Sequence, residues 1–206
     1  MLLPSNHAEA EQRIDAAKRG NEEVLDLSGL RLKDIPSGLA GLRHLRELRL
    51  GENRLTALPE WLADLTGLAH LDLNGNRLAE VPEWIGGLSA LTWLDLGDNQ
   101  LAGLPEWLGD LTMLAHLGVS NSGLTSVPEW LRRFTSLTEL FLDRNVLTDV
   151  PEWLGELTGL TALRLDDNLL SSVPDSLGNL TAGKAARNLF PPGTSSSSAA
   201  YSWYAR

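Results

Sequence analysis

The sequence contains no cysteine. This absence excludes disulfides, thiolate metal sites and every mechanism that needs a cysteine nucleophile. Long apolar runs are also missing, since no stretch approaches the roughly 18 residues of a transmembrane helix. The first 13 residues, "MLLPSNHAEAEQR", have neither the basic region nor the apolar core of a signal peptide. We therefore expect a soluble, cytoplasmic protein without membrane insertion.

Basic residues are scarce. The chain has 17 Lys and Arg against 27 Asp and Glu, which gives a formal charge of −10. A protein that binds nucleic acid usually presents a basic face, so this charge disfavours that class of partner. Arginine outnumbers lysine 14 to 3. Together with abundant Ala, Gly and Leu, this bias suggests a GC-rich bacterial genome.

A repeat fills most of the chain. The tripeptide Pro-Glu-Trp begins at residues 59, 82, 105, 128 and 151, always 23 residues apart. Aligned on it, seven units cover residues 22–182 without a gap, and each follows LxxLxLxxNxLxxLPxxLxxL. Such self-similarity decides the fold before any local propensity does.

Each unit begins with a strand pattern. In "LRELRL", Leu48 and Leu50 alternate with Glu47 and Arg49, which is the period of a strand with one buried face. A single strand cannot bury that face, but stacked neighbours can. Further along the unit, Pro59 suits the first position of a short helix or 3₁₀ turn.

This pattern resembles the leucine-rich repeat family, in the 23-residue form of Ras-group intracellular proteins and many bacterial proteins. The resemblance implies an α/β repeat solenoid, right-handed and curved, with a concave parallel β-sheet and short helical or 3₁₀ segments on the convex side. It also implies an inward ladder of asparagines at the ninth position of the units: Asn53, Asn76, Asn99, Asn145 and Asn168. Leu30 and Ser122 fill the other two slots, and Asn121 before Ser122 predicts a local irregularity.

Three segments follow from the repeat boundaries. Residues 1–21 contain a helical pattern and form an N-terminal cap, with Ala10, Ile14 and Ala17 on its apolar face. Residues 22–182 are the seven repeats. Residues 183–206 are a C-terminal cap remnant followed by a tail whose Pro- and Ser-rich composition predicts disorder.

The repeated tryptophans are predicted to form a half-buried convex stripe that fills the wider spacing of the repeats on that side. An exposed aromatic docking surface is the alternative. The stripe consists of Trp61, Trp84, Trp107, Trp130 and Trp153.

The candidate partner-binding site lies on the concave sheet, where the outward strand residues vary between units. Adjacent units place His70, Trp93 and His116 in one row, with Asp72 and Asp95 beside it and Phe141 nearby. An exposed tryptophan here has no packing role, and tryptophan is enriched at binding hot spots. We expect Asp72 and Asp95 to favour the charged form of His70, and Gly97 and Gly118 to leave space around the rings.

The sequence offers little chemistry. The two histidines of the row are two strands apart, roughly 10 Å, which is too far for one metal ion. The segment "GNLTAGKA" at residues 178–185 has the glycine and lysine spacing of a P-loop, but Ala185 replaces the residue that binds Mg²⁺. We therefore predict no catalytic residue, no metal and no cofactor.

These observations predict a monomeric, non-enzymatic interaction module that binds a protein or peptide partner on its concave sheet, with a role in intracellular signalling. The Ras-group resemblance implies small GTPases or signalling proteins as partners. Two alternatives remain: a structural adaptor that docks through the convex tryptophans, and an accessory module of an enzyme system.

Overall fold

The computed structural model of the protein describes residues 6–183. The predictions for residues 1–5 and for the tail from residue 184 onward lie outside the described residues. One α-helix, α1, spans Asn6–Gly20. Its Ala10, Ile14 and Ala17 are fully buried, because the helix packs against the first strand and the first 3₁₀ turn.

Seven short strands form one open parallel sheet, in the order of the sequence. Each strand has three residues, and the alternation of inward and outward side chains continues to the buried leucine or valine that follows it. The strands are β1 Val24–Asp26, β2 Glu47–Arg49, β3 His70–Asp72, β4 Trp93–Asp95, β5 His116–Gly118, β6 Glu139–Phe141 and β7 Ala162–Arg164.

The register of the sheet follows the 23-residue period without a slip. His70 pairs with Trp93 and Trp93 pairs with His116, so equivalent positions of neighbouring repeats lie side by side. The central leucine of every strand is buried, and the outward side chains on either side of it form a continuous surface. We call this outward surface of β1–β7 the strand face.

Short 3₁₀ helices form the opposite side of the repeats. Five of them contain the Glu-Trp dipeptide and begin at its glutamate, as in Glu60–Asp64. The sequence suggested that Pro59 is the first residue of the helix, and this prediction is wrong. The proline stands one position earlier in an extended conformation (φ −71°, ψ 141°), and its carbonyl accepts the first hydrogen bond, from Leu62 N at 3.1 Å.

The asparagines at the ninth position bond to the backbone where each strand ends. The Nδ2 atom of Asn99 donates to the carbonyls of Leu73 and Leu96 at 3.0 Å and of Gly97 at 3.1 Å. Its Oδ1 accepts from Leu78 N at 2.9 Å. The amide thus joins its own repeat to the preceding one, which offsets the cost of burying it. Asn53, Asn76, Asn145 and Asn168 make equivalent bonds.

The local irregularity expected at Ser122 lies in the hydrogen bonds and not in the path of the backbone. Asn121 N donates to the Asp143 carbonyl as its counterparts do in other repeats, and Asn121 has the same positive φ as Asp98. The Ser122 hydroxyl donates to the Leu96 carbonyl at 3.3 Å. A serine is too short to reach Leu101 N, however, and that N–H makes no hydrogen bond within residues 6–183.

Candidate functional site

Four rings form a continuous row on the strand face, from β3 to β6. We call His70, Trp93, His116 and Phe141 the aromatic row. The His70 and Trp93 rings are stacked, with centroids 3.8 Å apart and planes 4° from parallel. Trp93 and His116 are stacked at 4.5 Å, and His116 meets Phe141 edge to face at 4.9 Å. The in-register strands thus bring together the ring residues selected from the sequence.

Trp93 is clamped between two imidazoles. The sequence had suggested an exposed tryptophan. Both faces of the indole are covered, however, so the residue is half-buried. Its Nε1–H donates no hydrogen bond within the part of the chain that the structure describes. The indole therefore has a packing role as well as a free donor, and it offers a partner its edge.

His116 is the most enclosed member of the row, with 5% of its surface exposed. Its Nδ1 lies 2.8 Å from Glu139 Oε2, an acceptor that holds a proton on this nitrogen. Its Nε2 is buried and has no hydrogen-bond partner among the described residues. Glu139 was not selected from the sequence, although its register opposite His116 could have pointed to it.

Burial lowers the pKa of the His70 imidazole, and this effect outweighs the attraction of Glu47, whose Oε1 lies 3.9 Å from His70 Nε2. Asp95 favours the charged imidazole, as expected, but desolvation of the ring is the larger effect, so the net shift of the pKa is downward. His70 favours its neutral form because the stack excludes water.

Two carboxylates lie beside the row, on β3 and β4, where Asp72 and Asp95 are paired in register. Asp72 Oδ1 accepts from Asn74 N at 2.9 Å, and Asp95 Oδ1 accepts from Gly97 N at 2.8 Å. Burial raises the pKa of Asp72, and the charge of Asp95 adds to this shift. Neither carboxylate forms an ion pair within residues 6–183.

Glycines on the strand face make room for these carboxylates rather than for the rings. A Cβ atom on Gly118 would lie 2.6 Å from Asp95 Oδ1, and one on Gly51 would lie 2.8 Å from Asp72 Oδ2. A Cβ on Gly97 would meet Asn74 Nδ2 at 3.0 Å and Asp95 Oδ1 at 3.1 Å. The prediction that Gly97 and Gly118 open space around the rings is therefore corrected.

Two arginines flank this region. The Arg164 guanidinium lies 4.2 Å from the centroid of Phe141 and extends the row by a cation–π contact. On the other side, Arg49 pairs with Glu47 at 2.6 Å and Asp26 at 3.7 Å. Arg164 was missed from the sequence because nothing in the repeat pattern marks which outward side chain folds over a neighbouring ring.

The five tryptophans of the predicted convex stripe lie in the 3₁₀ helices and differ in burial. Trp61, Trp84 and Trp107 are half-buried against the core. Trp130 and Trp153 are buried more deeply than expected, with 9% and 8% of their surface exposed. Shallow grooves of about 540 and 530 Å³ lie beside Trp84 and Trp107. The side chains fill the space between successive repeats and are in part a component of the core.

The described residues contain no group of three His, Asp or Glu side chains placed to hold a metal ion. Between residues 6 and 183, no helix has the length and apolar character that crossing a membrane would require.

The sequence matches a protein-family model, and the fold is similar to several solved structures. The family model described as a leucine-rich repeat region matches residues 23–119 and 62–182. A leucine-rich repeat protein from Leptospira interrogans is 32% identical, with a TM-score of 0.74 over 87% of this chain and 45% of that one. Internalin C2 from Listeria monocytogenes has a TM-score of 0.69 at 23% identity, over 91% of this chain and 93% of its own.

A plant receptor structure is similar too. The Arabidopsis receptor kinase HAESA, solved with the peptide hormone IDA and the co-receptor SERK1, is 30% identical with a TM-score of 0.70, over 80% of this chain and 29% of that one. The chain thus spans less than half the length of the Leptospira protein and under a third of HAESA. No curated protein matched the sequence.

Proposed function

This chain belongs to the leucine-rich repeat family, and we propose that it is a non-enzymatic interaction module that binds an extended polypeptide across the strand face. The observation that carries this proposal is the aromatic row, which joins four neighbouring strands through ring contacts. Tryptophan is enriched among interface residues that dominate binding. Trp93 stands at the centre of β3–β5 with a free N–H donor.

The dimensions of the row suit a short extended segment. Strands lie about 4.8 Å apart, so the three steps from β3 to β6 span roughly 14 Å. An extended chain rises about 3.3 Å per residue, and about four or five residues would therefore cover the row. The Arabidopsis receptor kinase HAESA, which has a similar fold, was solved with a peptide hormone, and this supports a role of this kind.

The alternative of docking through the convex tryptophans has weaker support. Trp130 and Trp153 pack into the core and have little surface left for a partner. We also propose that the protein is a cytoplasmic monomer with a role in signalling. The bound segment would come from a small GTPase or another signalling protein.

Peptide selection tests the binding site. A library of random twelve-residue peptides is selected on the immobilised protein, and the enriched peptides are titrated by fluorescence anisotropy. Trp93→Ala should weaken binding at least about 30-fold, the loss typical of a hot spot. Trp93→Phe keeps a ring but lacks the N–H and should show an intermediate loss. Circular dichroism verifies that each variant is folded.

Two further variants locate the site. Met113→Ala alters a side chain that is 56% exposed and lies outside the strand face, so it should leave affinity unchanged. If affinity is retained in Trp93→Ala but lost in Trp107→Ala, the binding site lies on the 3₁₀ side and the proposal is wrong.

A further inference from the structure

We propose that the strand face recognises a basic segment, and that Asp72 and Asp95 together hold an arginine side chain of the partner beside the aromatic row. This inference rests on the proposed function and adds the chemistry of the partner to it. It follows from the state of the two carboxylates, the orientation of the rings and the charge of the surrounding surface.

The two carboxylates have unused bonding capacity. Asp72 and Asp95 are Cα partners on adjacent parallel strands, about 4.8 Å apart. Each uses Oδ1 for the N–H two residues on, in Asn74 and Gly97. Within residues 6–183, neither Oδ2 accepts a hydrogen bond. Like charges directly opposite each other destabilise a sheet, so a cation from a partner would relieve an unfavourable arrangement.

The aromatic row independently restricts the kind of ligand. Both faces of Trp93 are covered by His70 and His116, so the indole has no face left for a sugar, a nucleobase or a quaternary ammonium group. A partner meets the ring edges and the indole N–H donor instead. The carbonyl and N–H groups of a polypeptide can contact these ring edges, whereas a flat ligand ring would need an open indole face to stack on.

The surface around the pair is acidic. Glu47 and Glu139 lie next to the two histidines of the row. Arg49, the register partner of Asp72, pairs with Glu47 and Asp26 and also attracts Asp72, so it offsets part of the negative charge on that side. Asp95 has Asp72 and Gly118 in register beside it, and neither is a cation. An acidic partner would be repelled here, whereas a basic one is complementary.

Arginine fits this pair better than lysine does. A guanidinium group presents five N–H donors in one plane and can bond two carboxylates at once. Asp72 leans toward Gly51 and Asp95 toward Gly118, so a guanidinium placed between them would meet one carboxylate on each side. The glycines Gly51 and Gly118 leave the carboxylates without a side chain crowding them from the next strand.

The experiment uses peptides selected from the random twelve-residue library on the wild-type protein. We expect the enriched peptides to share an arginine at a fixed position. For one such peptide, replacing that arginine by citrulline keeps its shape and removes its charge, and should weaken binding at least tenfold. The same replacement should change binding less than twofold on the double variant Asp72→Asn/Asp95→Asn, because the carboxylates that distinguish the two peptides are gone.

A matched control removes two charges elsewhere. Asp34 and Asp149 occupy the thirteenth position of their units, outside the strand face, and both are exposed. Asp34→Asn/Asp149→Asn should retain the full preference for arginine over citrulline. The double variant at Asp72 and Asp95 should unfold no more easily than the wild type, since asparagine can still accept the Asn74 and Gly97 N–H bonds.

The outcomes separate the two proposals. If peptides bind in a Trp93-dependent way but share no arginine, or if citrulline or lysine binds as tightly, the arginine site is wrong and the binding module stands. If no peptide depends on Trp93, both proposals fail. A loss of the arginine preference in the Asp34/Asp149 control would show that overall charge, rather than the paired carboxylates, attracts the peptide.

Discussion

His70 lies flat against Trp93, with ring centroids 3.8 Å apart and planes 4° from parallel. With His116 on the other side at 4.5 Å, the indole is held between two imidazoles. The residue best placed to bind a partner is therefore also part of the packing on the strand face. Variants of the row change stability as well as binding, and the two effects have to be measured separately.

Trp93→Ala should destabilise the protein by about 1–3 kcal/mol, because it removes two stacked ring contacts of about 0.5–1.5 kcal/mol each. An exposed tryptophan would have predicted almost no change. Urea denaturation followed by circular dichroism gives the free energy of unfolding. Met113→Ala serves as the exposed control and should stay within about 0.5 kcal/mol of wild type. Identical unfolding midpoints for Trp93→Ala and wild type would show that the stack contributes nothing.

Acidification should weaken the fold through His70. Burial lowers the pKa of this imidazole in the folded state, so the unfolded chain takes up a proton more readily. The stabilising contribution is complete above the ordinary value of about 6.5 and is lost as the pH falls through the lower folded value. The melting temperature should therefore drop less between pH 7.5 and 5.5 in His70→Gln than in wild type. Equal drops would exclude His70 as a source of the pH dependence.

Asp72 should behave in the opposite sense. Burial raises the pKa of this carboxyl in the folded state, helped by the charge of Asp95. Its protonated form is favoured by folding, so its contribution is present at low pH and is lost as the pH rises through the folded value. Asp72→Asn should therefore raise the melting temperature at pH 7, where the wild type carries the buried charge. A lower melting temperature at that pH would contradict this assignment.

The repeat made the backbone predictable. A strict 23-residue period fixed which residues face inward, and from this the parallel register and the row of outward rings both follow. Side-chain orientation was less accessible, since the clamping of Trp93 depends on rotamers of residues 23 positions away in both directions. The role of Gly118 was misread for the same reason, because the carboxylate that needs the space belongs to the preceding repeat.

The repeat pattern also could not predict how deeply each tryptophan of the convex stripe is buried. The same Pro-Glu-Trp tripeptide leaves Trp61 half-buried and Trp153 buried. The sequence of one repeat does not contain the side chains of its neighbours, and these decide how far each indole is covered.

That difference predicts unequal costs of truncation. Trp153→Ala should cost about 3–5 kcal/mol, the range for a buried tryptophan. Trp61→Ala should cost about 1–3 kcal/mol, because part of the ring is already in water. Trp153→Phe should cost less than Trp153→Ala, since it retains a ring and removes a buried N–H that has no partner. Denaturation of the three variants decides the order, and equal losses at both positions would contradict it.

The break in the asparagine ladder at Ser122 offers a stabilising substitution. In other repeats, an asparagine Oδ1 at this position accepts the N–H of the residue 21 positions earlier, as Asn99 does from Leu78 N at 2.9 Å. Ser122 cannot do so, and Leu101 N has no hydrogen bond within the described residues. Ser122→Asn should supply that acceptor and raise stability by about 0.5–1.5 kcal/mol, the usual net value of one hydrogen bond.

The reverse substitution, from asparagine to serine, tests the equivalent bond in the preceding repeat. Asn99→Ser should leave Leu78 N unpaired and cost about 1–3 kcal/mol, the penalty for a buried donor without a partner. Asn99→Leu should cost at least as much, because leucine also removes the donors to Leu73 and Leu96. Amide hydrogen exchange gives a direct readout, since protection should increase at Leu101 in Ser122→Asn and decrease at Leu78 in Asn99→Ser. Unchanged exchange at both amides would mean that the ladder does not control these backbone groups.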